Sequence, residues 1–363
     1  MRKISFSSAL EDVTKFAVKI PREKYLDKGV FPIIDQSKDY IAGYWNDSNG
    51  LFNKVPAIAF GDHTRAIKYI TTPFYIGADG VKILKVANKN DNPKYYYYAL
   101  QAARIPDLGY SRHFKIVREL MFNMYKRPEQ DNIVKRLDKL ESLIALKNHQ
   151  LNKLDELIKS RFIEMFGHPM NDTFKWKVST IGEQFDVTSG GTPATGEKAF
   201  WDNGTIPWIG SNMCQDTILY ENDGKFITEE GYAHSSAKWF YSGTVLVALV
   251  GATIGKTALL QFDTTTNQNI AAINVNGNKN FSSEYIFYHL QLLYEKFMEI
   301  GNGKFKMANQ GFIKQLLLIC PPLDLQNQFS ALVKQVNKSK LAIEKSIEKL
   351  EILKKSLMQE YFG

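Results

Sequence analysis

The sequence predicts an α+β protein: two mixed α/β domains separated by two long antiparallel helices that form a coiled-coil spacer, the whole a pseudo-two-fold tandem repeat. Three observations carry that prediction. A long amphipathic stretch occurs twice at an offset of 196 residues, short β-rich segments precede each copy, and loops of similar composition occupy corresponding places. The bounds that follow are a first domain at 1–127, a first helix at 128–167, a second domain at 168–322 and a second helix at 323–363.

In the first domain, residues 30–35 and 56–60 are short apolar runs bounded by Gly, Pro and polar residues, the composition of strands that end in loops. Gly61-Asp-His-Thr-Arg65 follows the second run directly and places His63, Thr64 and Arg65 on a protruding loop, either a ligand contact or an ordinary polar turn. Strands at 73–77 and 80–84 come next, then a helix over 93–103. Four tyrosines, Tyr95 to Tyr98, open that helix and cover its whole circumference, so some belong to the core and some face outward; core packing is the simpler reading than base stacking. Gly109-Tyr-Ser-Arg-His113 forms a second polar loop that carries Arg112 and His113.

The first long helix places Ile133, Leu137, Leu140, Ile144, Leu151, Leu154 and Ile158 on one stripe at spacings of three and four, interrupted by Lys147. The second repeats it with Phe329, Val333, Val336, Ile343, Ile347, Leu350 and Leu357, interrupted by Lys340 and Lys354. Residues 153–167 and 349–363 share 8 of 15 identities and both end in Phe-Gly. Each stripe needs an apolar partner, and the other copy is the nearest. A helix of about 34 residues is about 50 Å long, and antiparallel pairing lets the second domain begin and end its chain at one end of that rod.

Between the helices, Ser189-Gly-Gly-Thr-Pro193 reads as a loop in which Ser189, Gly190, Gly191 and Thr192 are candidate contacts. Residues 206–211 echo 31–36, and 244–250 is the strongest strand of the chain. Residues 285–290 answer 95–100, and the 301–306 loop, with Lys304 and Lys306, stands where the first domain has 109–113.

Composition narrows the function. An apolar content of 44% with 23% charged residues predicts globular domains. Two cysteines, Cys214 and Cys320, supply neither a disulfide framework nor a thiolate zinc site, and no apolar run reaches membrane-span length, so a soluble cytoplasmic protein is expected. Residues 1–127 carry 21 Lys and Arg against 12 Asp and Glu, the excess expected of a polyanion binder, whereas 168–322 carry 11 against 14 and no Arg.

Two motifs suggest catalysis and neither completes it. Gly251-Ala-Thr-Ile-Gly-Lys-Thr257 resembles a phosphate-binding loop but has three residues between its glycines where four are needed, and a strand is expected after it in place of a helix. Asn92-Pro-Lys-Tyr95 is simply a helix start, and the six histidines share no metal-ligand spacing. No catalytic residue and no metal site is predicted.

Taken together, the duplicated helix ending in Phe-Gly, the lead-in Pro321-Pro-Leu-Asp-Leu-Gln326, Ser189-Gly-Gly-Thr-Pro193, Ile206-Pro-Trp-Ile209, Gly251-Ala-Thr-Ile-Gly-Lys256 and Phe60-Gly-Asp-His-Thr-Arg65 resemble the specificity subunit of a type I restriction-modification enzyme across essentially the whole chain. Pro128-Glu-Gln130 is a shortened form of that lead-in. The resemblance implies a non-enzymatic subunit with two target recognition domains, each reading one half of a split asymmetric sequence in double-stranded DNA. It also implies that the helices act as spacer and dock two methyltransferase subunits, which recruit restriction subunits. No cofactor is then expected on this chain; S-adenosylmethionine, ATP and Mg belong to the partners. Two other readings stay open at this stage: an adaptor built on the helix pair that reads no sequence, and an ATPase using Lys256 and Thr257.

Overall fold

The computed structural model describes residues 2–77, 80–109, 111–171, 176–300 and 307–363. They form two compact units, one of Met1–His149 with Glu344–Gly363 and one of Gln150–Ile343, so each long helix contributes one part to each unit.

The first unit contains β1 (Lys3–Ser5), α1 (Phe6–Ala9), β2 (Leu10–Asp12), β3 (Phe31–Ile34), β4 (Gly43–Trp45), β5 (Ala57–Gly61), β6 (Ile67–Ile70), β7 (Tyr75–Ile76), β8 (Val81–Val86), α2 (Pro93–Ala102), α3 (Phe114–Val117) and β9 (Met121–Asn123). Its strands form an antiparallel sheet β2-β8-β5-β6, a smaller sheet β4-β3-β7 and the pair β1-β9. β5 is one of the two inner strands of the larger sheet and is buried throughout, which is why it reads as an unbroken apolar run, with Ile58 facing both Leu84 and Tyr69. α2 starts at Asn92, whose side chain accepts from the Lys94 N–H while Pro93 fills the position that needs no donor. Of its four tyrosines, Tyr95, Tyr96 and Tyr98 are buried, so the core reading is the right one.

The second unit repeats the plan. It contains β10 (Lys177–Thr180), α5 (Ile181–Gln184), β11 (Val187–Ser189), β12 (Ile206–Ile209), β13 (Thr217–Leu219), β14 (Phe226–Ile227), α6 (Glu229–Ala233), β15 (Trp239–Phe240), β16 (Val245–Ala248), β17 (Thr257–Leu260), β18 (Thr264–Thr266), β19 (Ile270–Ile273), α7 (Ser283–Gln291), α8 (Tyr294–Met298), α9 (Gln310–Gln315) and β20 (Leu317–Cys320). Here the sheets are β11-β19-β16-β17-β13, β14-β12-β18-β15 and β10-β20. Matching contacts recur. Tyr95 Oη donates to the Asn123 carbonyl at 2.7 Å in the first unit, and Tyr285 Oη donates to the Ile319 carbonyl at 2.8 Å in the second.

The long helices are α4 (Arg127–Phe166) and α10 (Leu323–Phe362). Prolines stand only at their starts, Pro128 in the first turn and Pro322 just before the other helix, where no intrahelical donor is lost. α4 stops because Gly167 adopts φ 89° and donates to the Ile163 carbonyl at 2.8 Å, the left-handed cap that explains the Phe-Gly ending. In the first unit Arg136 bonds Tyr361 Oη and Lys354 bonds Glu141; in the second Lys340 bonds Asp155 and the Phe162 ring meets Phe329 at 5.3 Å. As one number rises its partner falls, so within each unit the helices run antiparallel.

The expected seam needs one correction. Ile133 and Leu137 join the core of the first domain, and Ile158, Phe329, Val333 and Val336 join that of the second. Ile144, Leu151, Leu154, Ile343, Ile347 and Leu350 are only half-buried. A two-helix seam covers one side of each helix, whereas the sheets and short helices supply a third partner near the ends. The apolar stripe therefore serves two kinds of contact.

Candidate nucleic-acid interface

The loop after β5 is a tight turn, with the Arg65 N–H bonded to the Gly61 carbonyl and the Gly61 N–H to Ala66, each at 2.8 Å. A Cβ at Gly61 would collide with the Thr64 hydroxyl, so only glycine closes the turn here. Thr64 Oγ1 donates to the Gln36 carbonyl, and the His63 N–H donates to the Gln36 amide oxygen at 3.3 Å. Thus Gln36, which no sequence pattern singles out, carries this loop from below.

Arg65 has φ 60°, and its guanidinium donates to the Ile105 carbonyl at 3.2 Å and to the Asp107 carboxylate at 2.6 Å. It ties its loop to the segment that precedes the second loop. His113 makes the same connection from inside. Its Nε2 accepts from the Leu108 N–H at 3.2 Å, so Nδ1 carries the proton and donates to the Asp62 carbonyl at 2.9 Å. The Asp62 carboxylate accepts from the Phe114 N–H at 2.7 Å, capping α3.

His113 is therefore withdrawn as a DNA contact. The ring is fully buried and both nitrogens are engaged, because it holds two loops together from the interior. Arg112 is exposed, and among the described residues nothing hydrogen-bonds or ion-pairs with its guanidinium. Its neighbour Tyr110 lies outside the described residues.

In the second domain, Gly190 and Gly191 are also withdrawn. Both are buried, and a Cβ would collide with the Thr266 backbone at Gly190 and with Ser236 at Gly191. The Gly191 N–H bonds the Thr266 carbonyl at 2.8 Å, and Trp208 Nε1 donates to the Gly191 carbonyl at 3.1 Å. These glycines let the edge of one sheet lie against β18 of the other. Ser189 is hydrogen-bonded with the Gln310 amide, and Thr192 Oγ1 donates to Gln268 at 2.6 Å. Lys304 and Lys306 lie outside the described residues.

The glycine-rich stretch 251–257 is not a nucleotide cradle. It makes a single turn at Gly251–Thr253 and enters β17, a strand where a phosphate loop requires a helix. Lys256 Nζ meets the Asp216 carboxylate at 2.5 Å, and the same carboxylate accepts from the Thr257 N–H at 3.0 Å and its hydroxyl at 3.2 Å. Sequence reasoning missed Asp216 because it lies about forty residues away. Among the described residues, no three His, Cys, Asp or Glu side chains gather as a metal site requires, and no helix is long and apolar enough to cross a membrane. Cys214 is fully buried, which pushes its thiol up to about 12 and leaves it unreactive.

The family described as the type I restriction modification DNA specificity domain matches residues 7–156 and again 174–354. The specificity subunit of the type I restriction enzyme EcoR124I/EcoR124II from Escherichia coli is 27% identical over 294 residues, 77% of this chain and 71% of that one. The MjaIX specificity subunit from Methanocaldococcus jannaschii is 33% identical over 115 residues, 31% and 26% of the two chains. Among solved structures, the S subunit of a type I restriction-modification system from M. genitalium has a TM-score of 0.59 at 14% identity, covering 100% of this chain and 96% of that one. A chain from a study of complex assembly and conformational transition in the type I system has a TM-score of 0.58 at 14% identity, over 99% and 97%. These two share the fold. With the family matched in both halves of the repeat, the chain belongs to the type I restriction modification DNA specificity family and carries its domain twice.

Proposed function

We propose that this protein is the sequence-reading subunit of a type I restriction-modification complex, each domain reading one half of a split, asymmetric DNA site. The observation that carries this is the double family match laid over a structural repeat: one reading plan is present twice with different loops. Different loops imply different half-sites, and two long helices between them imply a gap. About 50 Å of helix corresponds to about 15 base pairs at about 3.4 Å each. The chain performs no chemistry of its own in this reading. It positions duplex DNA for two methyltransferase subunits, which must draw a base out of the stack, and restriction subunits join through them. S-adenosylmethionine, ATP and Mg are carried by those partners, and the complex works in the cytoplasm, where the DNA is.

Within the first domain, Arg112 is the proposed base contact, since a guanidinium pairs bidentately with guanine. His63 and Thr64 lie on the adjoining loop, Arg65 shapes that loop, and Lys304 and Lys306 are proposed phosphate contacts in the second domain, with Ser189 and Thr192 beside their own sheet edge. The test is the methylation pattern of genomic DNA in cells that carry this protein with its partner subunits. A bipartite methylated sequence that disappears when this chain is deleted is expected. Binding without preference among duplexes at moderate salt would leave only an adaptor role.

A further inference from the structure

Near the start of each long helix a glutamine is buried with its amide fully engaged. In the first unit, Gln130 Oε1 accepts from the Asn92 N–H at 2.7 Å, and Nε2 donates to the Asp91 carboxylate at 3.2 Å and the Tyr125 carbonyl at 3.1 Å. In the second, Gln326 Oε1 accepts from the Ser282 N–H at 2.9 Å, and Nε2 donates to the Asn280 carbonyl at 3.1 Å and the Pro321 carbonyl at 2.9 Å. Asn92 and Ser282 are the caps of α2 and α7, while Tyr125 and Pro321 lie in the connections that lead from β9 and β20 into the long helices. Each glutamine thus joins a long helix, the first turn of a domain helix and the strand-to-helix connection at one point.

The surroundings of the two amides differ while the arrangement does not. A carboxylate in one unit is a backbone carbonyl in the other, and a tyrosine carbonyl becomes a proline carbonyl. Filling the site with an apolar side chain would serve packing equally well, and apolar contact has no direction. Three hydrogen bonds to one planar amide do have direction, and they fix how the domain is turned on its helix.

We infer that Gln130 and Gln326 are positioning residues that set the angle at which each reading domain leaves its long helix, and thereby the gap at which the two half-sites are read together. The inference rests on the DNA-reading function proposed above. Adding or removing one base pair moves a half-site by about 3.4 Å and turns it by about 35°, so a fixed angle must show as a strict gap.

The experiment uses the full chain assembled with its methyltransferase subunits, with Gln130→Met and Gln326→Met as variants and Gln→Asn at each position as the shortened amide. Affinity is measured for duplexes carrying the genomic site, the same half-sites with the gap changed by one base pair, and single-base changes within each half-site. The wild-type complex should prefer its own gap by about tenfold, and the Met variants should narrow that preference to about threefold while half-site discrimination stays as it was. A gap preference unchanged in both Met variants would overturn the inference. So would gap and half-site discrimination falling together, or failure of both the Met and Asn variants to fold, since the glutamines would then serve stability alone. A wild-type complex that discriminates half-sites but ignores the gap also sinks it, leaving the reading function intact. One that discriminates neither fails the reading function itself.

Discussion

Arg65 and Arg112 were indistinguishable in the sequence, each in a glycine-led polar loop, and the fold separates them. Arg65 is spent on Asp107 and the Ile105 carbonyl, whereas Arg112 has no such partner among the described residues. Arg112→Ala should therefore cost about 1 to 3 kcal/mol in specific binding and relax one position of one half-site. An affinity panel of half-site variants at two salt concentrations checks it, and uniform weakening would make Arg112 a phosphate contact. His113 could not be read correctly from sequence, because its partner Asp62 is 51 positions away and only the folded chain brings them together. The same holds for Gly190 and Gly191, whose crowding comes from Thr266 and Ser236 on distant segments. His289 makes a second residue-level prediction. Burial, with His168 adding to it, lowers its imidazole to about 4 against 6.5 in the unfolded chain, although a bond to the Leu317 carbonyl opposes the shift. A base depressed in the folded state leaves the unfolded chain to take up the proton first. Its stabilising contribution is complete above about 6.5 and lost as pH falls toward about 4, amounting to about 3 kcal/mol. Thermal melting across that window should show the loss in the wild type and a flatter profile in His289→Gln.

At the level of elements, the long helices were legible because period and repetition both survive in the sequence, and the Phe-Gly ending has a backbone cause. Their lysines were half legible. Lys340 interrupts the stripe, and the structure gives it Asp155 at 2.7 Å, with the carboxylate side chain 53% exposed. A pair so open to water is worth about 0 to 1 kcal/mol, while burying a leucine there is worth about 1.5 kcal/mol or more. Lys340→Leu should still raise the melting temperature, by the equivalent of about 0.5 to 1 kcal/mol, as differential scanning calorimetry would measure. A fall would show that the lysine sets helix register. The tyrosine run shows how one element answers several demands: Tyr98 Oη sits between the Asp138 and Glu141 carboxylates of α4 at 2.6 and 2.9 Å, and Tyr95 Oη donates to the Asn123 carbonyl at 2.7 Å. Neither pairing was visible beforehand, since a buried tyrosine announces its ring through hydrophobic pattern but not the partner of its hydroxyl.

For the molecule as a whole, the tandem organisation was readable because both copies keep the same order of segments, although the two domains have diverged in their loops. Matched insertions of four residues after Gln150 and after Ile343 add about one helical turn, roughly 6 Å, to each helix. They leave Glu141 with Lys354 and Asp155 with Lys340 on their own sides of the insertion. The gap in the methylated sequence should lengthen while both half-sites stay the same, and genomic methylation mapping would show it; altered half-sites with an unaltered gap would refute the spacer. The division of the chain has a further consequence, for the order in which it folds during synthesis. The second unit is one continuous span, complete once residue 343 has left the ribosome, but the first needs 344–363 as well. Tyr361 lies buried in the core of the first unit, where its carbonyl accepts from Asn123 and its ring packs with residues made much earlier. The domain translated first is therefore finished last. Until then Ile133, Val134 and Leu137 wait without part of their cover, the interval in which a nascent chain most needs a chaperone.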